Sequence, residues 1–184
     1  MWKEHFPKNM EGVTAEMLWR AINQVEPSLI RVESDEATYN LHIMIRYEIE
    51  KMIFNEGLQV ADIPATWNKM MMDWFGIEVP DDSMGCLQDI HWSMGAFGYF
   101  PTYTLGNLYA AQLLDKMSDD LGDIDQIIGS GNWSSMLDWL RENIHQQGSV
   151  MTPAELIESA TGKAPSPEPF LDYVERKYSK LYNL

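Results

Sequence analysis

Only one of the 184 residues is a cysteine, Cys86. A single thiol cannot form a disulfide within the chain, and it excludes any metal site built from several cysteines. Scarce cysteine is typical of a reducing compartment, so we predict a cytoplasmic protein. We expect Cys86 itself to be a small buried residue.

Basic residues are also scarce. The chain has 13 lysines and arginines against 28 aspartates and glutamates, which gives a formal net charge of -15. Nucleic acid and anionic membrane surfaces are both bound through clustered positive charge. No apolar run approaches the roughly 18 residues of a spanning helix, and the first residues lack the apolar core of a signal peptide. We therefore predict that the protein binds neither nucleic acid nor membranes.

The usual signatures of catalysis are missing as well. No two of the four histidines lie three or four positions apart, and none belongs to an H-E-x-x-H motif. The sequence has no G-x-S-x-G nucleophile elbow and no Walker or Rossmann glycine pattern. We therefore predict no metal ligands and no cofactor site in this chain. The histidines are His5, His42, His91 and His145.

The hydrophobic pattern is helical. Sustained alternation of apolar and polar residues is absent, whereas apolar residues recur at spacings of three and four. This pattern predicts an all-α protein that forms a single helical unit over residues 1–184. The predicted helices cover about 35–56, 64–76, 105–117, 133–145 and 153–160, followed by a proline-rich connector at 165–169 and a terminal helix.

Two of these helices have recognisable ends. Thr152 and Glu155 form the pattern of a capping box, with proline at the first helical position. The helix over about 35–56 has Asp35 or Ser34 as its expected N-cap and Gly57 as its expected terminator. Its predicted apolar stripe consists of Tyr39, Ile43, Tyr47 and Phe54.

One irregular stretch, from Gly76 to Pro101, holds most of the groups suited to binding a polar substrate. Its glycines and prolines interrupt any long helical pattern, and loops of this kind often carry binding groups on a rigid frame. A carboxamide, a carboxylate, an imidazole, an indole and two phenols lie within it or just beyond it, and these are the usual polar groups of a cleft. They belong to Gln88, Asp89, His91, Trp92, Tyr99 and Tyr103.

Two positions allow a functional and a structural interpretation. Arg31 could grip a substrate carboxylate with two hydrogen bonds. Alternatively, it pairs with Glu33 or Asp35, and Asp35 simply caps the helix. His91 could donate a hydrogen bond or transfer a proton in a cleft. Alternatively, Asp89 or a backbone carbonyl satisfies its imidazole.

The other polar residues of the stretch have structural alternatives of the same kind. Gln88 and Asp89 could cap a following helix, and Trp92 could belong to the core. Tyr99 and Tyr103 could be packing residues with hydrated hydroxyl groups. Spacing alone leaves these alternatives open.

The chain resembles a known family, the thermostable carboxypeptidase Taq family of metallopeptidases. The resemblance rests on two motifs in the family's order, Ile30-Arg31-x-x-Ser34-Asp35 and Gly85-x-x-Gln88-Asp89-x-His91-Trp92. The one departure is Ser34, where the family has alanine. Similar segments at 35–43 and 98–107 and the proline-rich connector extend the resemblance over essentially the whole chain, which it matches to the C-terminal third or so of family members.

The resemblance implies an all-helical fold like the C-terminal part of a gluzincin-like metallocarboxypeptidase. Family members remove C-terminal residues from peptides with a zinc or cobalt ion, and they are commonly homodimers. Their H-E-x-x-H helix and the glutamate that completes the metal site would lie before Met1 of this sequence. The resemblance therefore implies a chain without metal ligands that holds the substrate side of the cleft.

The same resemblance implies roles for the motif residues. By fold analogy, His91 and Tyr99, with Tyr103 as second choice, donate hydrogen bonds to the oxyanion of the tetrahedral intermediate. His91 also lines the groove that holds the C-terminal end of the peptide. The implied substrate-binding residues of that groove are Arg31, Gln88, Asp89 and Trp92.

The expected function is that of the C-terminal portion of a metal-dependent carboxypeptidase, inactive by itself because the metal ligands are absent. The alternative is a stand-alone, non-catalytic helical module that binds or assembles with itself or with a full-length relative. It would do so through exposed apolar surface, such as Trp2, Phe6, Trp19 or methionine patches. In a further alternative, a separately encoded chain supplies the missing half.

Overall fold

The structure is a computed structural model that describes residues 2–184. Among these residues there are helices and turns and no strand, which confirms the all-α prediction. The α-helices are α1 Trp2–His5, α2 Ala15–Ile22, α3 Tyr39–Asn55, α4 Ile63–Phe75, α5 Pro101–Leu121, α6 Ile124–Ser130, α7 Ser134–Asn143, α8 Pro153–Thr161 and α9 Glu168–Tyr182. Short 3-10 helices cover Arg31–Glu33, Val60–Asp62, Trp92–Met94 and His145–Gln147.

The chain divides into two compact units. The first ends at Pro101 and the second begins at Thr102, near the start of α5. The prediction that residues 1–184 form one helical unit stays a prediction.

Helix α3 begins four residues later than the predicted start near Asp35. The Asp35 carboxylate accepts hydrogen bonds from the backbone N–H groups of Ala37 and Thr38, at 2.9 and 3.0 Å. Asp35 is therefore a cap, but it caps the turn that leads into the helix. At the other end Gly57 has φ +76°, a left-handed conformation that glycine adopts readily and that ends the helix as predicted.

The buried face of α3 differs from the predicted apolar stripe. Ile43 is 2% exposed, but Tyr47 and Phe54 are 44% and 64% exposed. The buried face carries His42, Arg46 and Glu50 beside its isoleucines. Periodicity placed the face wrongly because it counts polar residues as outward-facing, whereas these three are accommodated in the interior.

The core of the first unit lies where α3 packs against α4. The predicted ends of α4 are confirmed, since Gly76 closes the helix with φ +67°. Cys86 is buried in the same core, as expected. Full burial of an aliphatic, aromatic or methionine side chain contributes roughly 1.5–3 kcal/mol. The buried cluster consists of Ile45, Ile49, Trp67, Met70, Met71, Val79 and Cys86.

The second unit is built from the longest helix, α5, and the helices that follow it. A small buried cluster joins Met117, Ile124 and Trp139. The buried Gln112 amide donates to the carbonyls of Lys163 and Ala164, both at 3.1 Å. These bonds tie the start of the proline-rich connector to α5.

The predicted capping box at the start of α8 is confirmed. Thr152 accepts a hydrogen bond from the Glu155 backbone N–H, and the Glu155 carboxylate accepts one from the Thr152 backbone N–H at 2.8 Å. Helix α7 is shorter than predicted, because it ends at Asn143 and a 3-10 turn follows.

Candidate functional site

Asp89 lies between two arginines in the first unit. Its Oδ1 accepts a hydrogen bond from Arg31 Nη2 at 2.6 Å, and its Oδ2 accepts one from Arg46 Nε at 2.7 Å. The exposed fractions of the three side chains are 12% for Asp89, 7% for Arg31 and 1% for Arg46. This is a buried ion triad with one more positive than negative charge.

The remaining edges of both guanidinium groups are also occupied. Arg31 Nη1 donates to the Tyr39 hydroxyl at 2.8 Å. Arg46 Nη1 donates to the carbonyl of His42 at 2.7 Å, and Arg46 Cζ lies 4.6 Å from the centre of the Trp67 ring. The cation–π contact with Trp67 and the hydrogen bonds replace part of the hydration that Arg46 loses on burial.

Burial and mutual attraction set the ionisation of the triad. Burial lowers the pKa of Arg46 to about 10, although Asp89 opposes part of that shift. Burial acts to raise the pKa of Asp89, but the two guanidinium groups outweigh it and hold that pKa below its ordinary value. All three groups are therefore charged at neutral pH.

The Gln88 amide connects the two signature motifs. Its Oε1 accepts from the Arg31 backbone N–H at 2.9 Å and from Arg46 Nη2 at 2.8 Å. Its Nε2 donates to the carbonyls of Leu29 and Met84, at 2.9 and 3.2 Å. An amide side chain has two N–H donors and two acceptor lone pairs, so all the hydrogen-bonding groups of Gln88 have partners inside the protein.

A second anchor lies one turn beyond Arg46 on α3. The buried Glu50 carboxylate accepts hydrogen bonds from Trp92 Nε1 at 2.8 Å and from the Gly98 backbone N–H at 3.0 Å. Glu50 and Gly98 also line a surface groove of about 260 Å³. Its other lining residues are Tyr47, Lys51, Phe54, Asn55 and Pro101.

His91 and Tyr99 are direct chain neighbours of the anchored residues Trp92 and Gly98. The His91 ring packs 4.4 Å from the Phe100 ring, centre to centre, and 5.7 Å from the Tyr99 ring. His91 Nδ1 lies 3.8 Å from Asp89 Oδ1, and its side chain is 15% exposed. Tyr99 is 50% exposed. The structure therefore brings an imidazole and an accessible phenol together on an anchored segment.

Several interpretations of single residues can now be decided. Arg31 pairs with Asp89 and Tyr39, two partners that neither interpretation named. Gln88 and Asp89 do not cap a helix, because the next element is the short 3-10 helix Trp92–Met94, whose preceding residue makes no side-chain cap.

The structure also gives the positions of two aromatic residues, Trp92 and Tyr103. Trp92 is partly buried and meets the Trp67 ring edge-on at 6.2 Å, so its indole belongs to the core. Tyr103 is a partly buried residue in the first turn of α5 and belongs to the second unit.

The sequence analysis did not identify three polar residues of α3 that belong to the hydrogen-bond network of the site. His42, Arg46 and Glu50 are spaced four apart, which places them on one face of a helix. The same face holds Ile45 and Ile49, both with no exposed surface. Polar residues at helical spacing among buried aliphatic positions were the signal, and they indicate an internal polar network.

The donors required by a metal ion do not converge here. Among residues 2–184 no group of three or more histidine, cysteine, aspartate or glutamate side chains could hold one. Asp89, the best-placed carboxylate, is already held by two arginines. In the same part of the chain, no helix is long and apolar enough to cross a membrane.

The sequence and the all-helical fold of the chain match one family of metallopeptidases. The sequence profile described as "Carboxypeptidase Taq (M32) metallopeptidase" matches residues 1–178. The chain belongs to this family, which confirms the resemblance carried by the two motifs.

Curated relatives show how much of the family fold the chain represents. It is 46% identical to thermostable carboxypeptidase 1 of Thermus thermophilus, a match that covers 98% of this chain and 37% of the relative. It is 44% identical to carboxypeptidase 1 of Bacillus subtilis, covering 99% of this chain and 36% of the relative. The chain therefore spans little more than a third of the length of the curated relatives it matches.

Solved structures of family members also match this chain over little more than a third of their own length. The M32 carboxypeptidase from Deinococcus radiodurans superposes with a TM-score of 0.95 at 38% identity, over 100% of this chain and 37% of that chain. A metallocarboxypeptidase from Trypanosoma cruzi superposes with a TM-score of 0.87 at 40% identity, over 94% of this chain and 38% of that chain.

Proposed function

We propose that this chain forms the substrate-side wall of the cleft in a metal-dependent carboxypeptidase that removes C-terminal residues from peptides. Membership of the M32 family supports the reaction class. The absence of a ligand cluster among residues 2–184, in a chain that spans about a third of its relatives, supports a divided site. Residues outside the 184 would then hold the metal, zinc or cobalt.

The observation that carries the proposal is the double anchoring of the segment 88–100. Arg31 and Arg46 hold Asp89 at one end, and Glu50 holds Trp92 and Gly98 further along. Hydrolysis of a peptide bond needs hydrogen-bond donors that are already in place when negative charge develops on the carbonyl oxygen. A segment fixed at several points supplies such donors without reorganisation.

Within this proposal His91 and Tyr99 are the catalytic residues. Each would donate a hydrogen bond to the oxyanion of the tetrahedral intermediate, with Tyr103 as second choice for the phenol. The neighbouring His91 and Tyr99 rings and the exposure of Tyr99 support the pair. One donor to an oxyanion typically contributes 100- to 1,000-fold to the catalytic rate.

The proposed substrate-binding residues shape the wall of the cleft from inside the protein. The Gln88 amide is fully engaged inside the protein, and Asp89 is held by two arginines. Arg31 is 7% exposed and its donors are occupied, and the Trp92 indole donates to Glu50. All four residues are therefore assigned the role of fixing the wall against which the peptide's C-terminal end binds.

By itself the chain is expected to hydrolyse no peptide. The test is release of the C-terminal amino acid from a peptide in the presence of zinc or cobalt, with the chain alone and then mixed with the complementary N-terminal part of the Bacillus subtilis relative. We expect metal-dependent release only from the mixture. Release by the chain alone would show that it carries its own catalytic centre.

Point variants extend the test to single residues in the mixture. Tyr99→Phe is expected to lower the catalytic rate by about 100-fold, because it removes one oxyanion donor. Tyr182→Phe, an exposed tyrosine at the end of α9, is the matched control and is expected to leave the rate unchanged. Equal rates for both variants would remove the proposed role of Tyr99.

A second candidate function, a non-catalytic helical assembly module, is favoured by exposed apolar residues near the start of the chain. Trp2 and Phe6 are 58% and 50% exposed, with ring centres 5.8 Å apart, and Met17 and Ile22 are 55% and 72% exposed. Trp19 is partly buried. Apolar surface of this kind favours association, either as a homodimer or with a longer relative.

Light scattering of the purified chain tests the assembly function. A homodimer that Met17→Glu converts to monomer, with peptide binding absent from both forms, is the result expected of an assembly module. A monomeric chain that binds peptides would support the carboxypeptidase wall instead.

A further inference from the structure

Arg46 is the most completely enclosed charged residue of the first unit. Its side chain is only 1% exposed. Its guanidinium donates to Asp89, to the His42 carbonyl and to the Gln88 amide, at distances between 2.7 and 2.8 Å. Its Cζ lies 4.6 Å from the Trp67 ring centre and 5.3 Å from the Phe100 ring centre.

Neutralisation of Asp89 does not require this second arginine. Arg31 alone contacts both oxygens of Asp89, with Nη2 at 2.6 Å from Oδ1 and Nε at 3.3 Å from each oxygen. Removing another guanidinium from water is costly, and replacement of buried ion groups by apolar residues of similar volume is often neutral or stabilising. Charge balance is therefore a poor explanation for Arg46.

The fixed geometry of Arg46 explains it better. A guanidinium is a rigid planar fork, and its bond to the His42 carbonyl holds that fork against α3 itself. The other two bonds therefore define the positions of Gln88 and Asp89 relative to α3. Both partners lie within three residues of His91, whose Nδ1 is 3.8 Å from Asp89 Oδ1. The His91 ring packs on the Phe100 ring, and Phe100 also contacts the Arg46 guanidinium.

We propose that Arg46 is a positioning residue. It sets the position of His91 because it holds Asp89, Gln88 and Phe100 in fixed positions against α3. This assignment rests on the proposed function only in treating His91 as part of the site. Arg46 touches no substrate in this scheme and acts through the residues it holds.

The test compares Arg46→Met, Arg46→Lys and the control Arg176→Met in the full chain. Arg176 is an exposed arginine on α9, so its replacement makes the same chemical change on the surface. The NMR resonances of the His91 ring protons report its position, and those of His145, in the second unit, serve as an internal control. Circular dichroism shows which variants fold.

We expect the His91 resonances to shift in Arg46→Met and to return part of the way in Arg46→Lys, which keeps the charge and loses the fork. The His145 resonances and the Arg176→Met spectrum should match the wild type. Wild-type His91 resonances in a folded Arg46→Met chain would overturn the proposal. If that variant does not fold, wild-type His91 resonances in Arg46→Lys would overturn it equally.

Binding of a fluorescent peptide with a free C-terminal carboxylate separates this proposal from the proposed function. We expect about tenfold weaker binding by Arg46→Met, the loss that accompanies one displaced hydrogen-bond partner, with partial recovery in Arg46→Lys. If the wild-type chain binds no peptide, the proposed function fails and the His91 resonances alone decide the role of Arg46. Unaltered peptide affinity in a folded Arg46→Met chain counts against the positioning role.

Discussion

Asp89→Asn removes the negative charge that two buried guanidinium groups share. The substitution keeps the size of the side chain and one carbonyl oxygen, so it changes the charge with little change in packing. Arg31 and Arg46, only 7% and 1% exposed at their side chains, would then be two buried positive charges without the anion that pairs with both. Their mutual repulsion adds to the cost of desolvation.

The expected loss is large for a single substitution. Breaking a buried ion pair by removing one partner typically costs about 3–5 kcal/mol, because the other charge stays buried and uncompensated. The asparagine oxygen still accepts a hydrogen bond from one arginine, so we expect about 3 kcal/mol. That is a substantial part of the roughly 5–15 kcal/mol that stabilises an ordinary protein.

The assay is urea denaturation at pH 7, followed by tryptophan fluorescence. Asp138→Asn is the matched control, because Asp138 pairs with Arg141 at 3.0 Å on the surface, where the side chains are 69% and 56% exposed. Exposed pairs contribute about 0–1 kcal/mol, so the control should stay close to wild type. Equal free energies of unfolding for the two variants would refute the account of the buried triad.

Three further outcomes test other parts of the structure. Burial and the neighbouring guanidinium groups lower the pKa of His42 from 6.5 to about 4. Between these two pH values the unfolded chain therefore binds a proton at His42 that the folded chain does not bind. As pH falls from 6.5 to 4 the chain should therefore lose roughly 3 kcal/mol, and His42→Asn should remove that part of the slope in urea denaturation across pH. Gly85→Ala would place a Cβ 2.9 Å from Val79 Cγ1, and we expect a loss of about 1–3 kcal/mol in urea denaturation; wild-type stability would contradict the close approach. Thr152→Ala removes the capping box of α8 and should cost about 1 kcal/mol in thermal unfolding, against no change for the exposed Ser159→Ala, and equal melting temperatures would count against the cap.

The elements that the sequence predicted well have ends marked by local chemistry. The capping box at Thr152 and the left-handed glycine at Gly76 need only neighbouring residues to form, so the pattern identifies them. The start of α3 was misplaced because Asp35 makes the same cap interactions with a turn as it would with a helix. Local patterns do not distinguish these two outcomes.

The site was predicted in part. The two motifs named the right segments, but the ion pair that joins them connects Arg31 to Asp89, 58 positions apart, and a single sequence does not contain that pairing. Arg46 was missed for a different reason. A charged residue in a helix is normally exposed, and only its position on the face of α3 that also carries Ile45 and Ile49 indicates that it is buried.

The most direct test of a substrate wall on the segment 88–100 is a titration of the purified chain with a peptide that has a free C-terminal carboxylate. The same peptide with an amidated C-terminus is the control. The NMR resonances of the His91 ring and the Trp92 indole are followed in both titrations. We expect weak binding of the free acid, weaker binding of the amide, and resonance changes at both residues. Equal affinity for the two peptides, or changes confined to residues after Thr102, would contradict a substrate wall built on the segment 88–100.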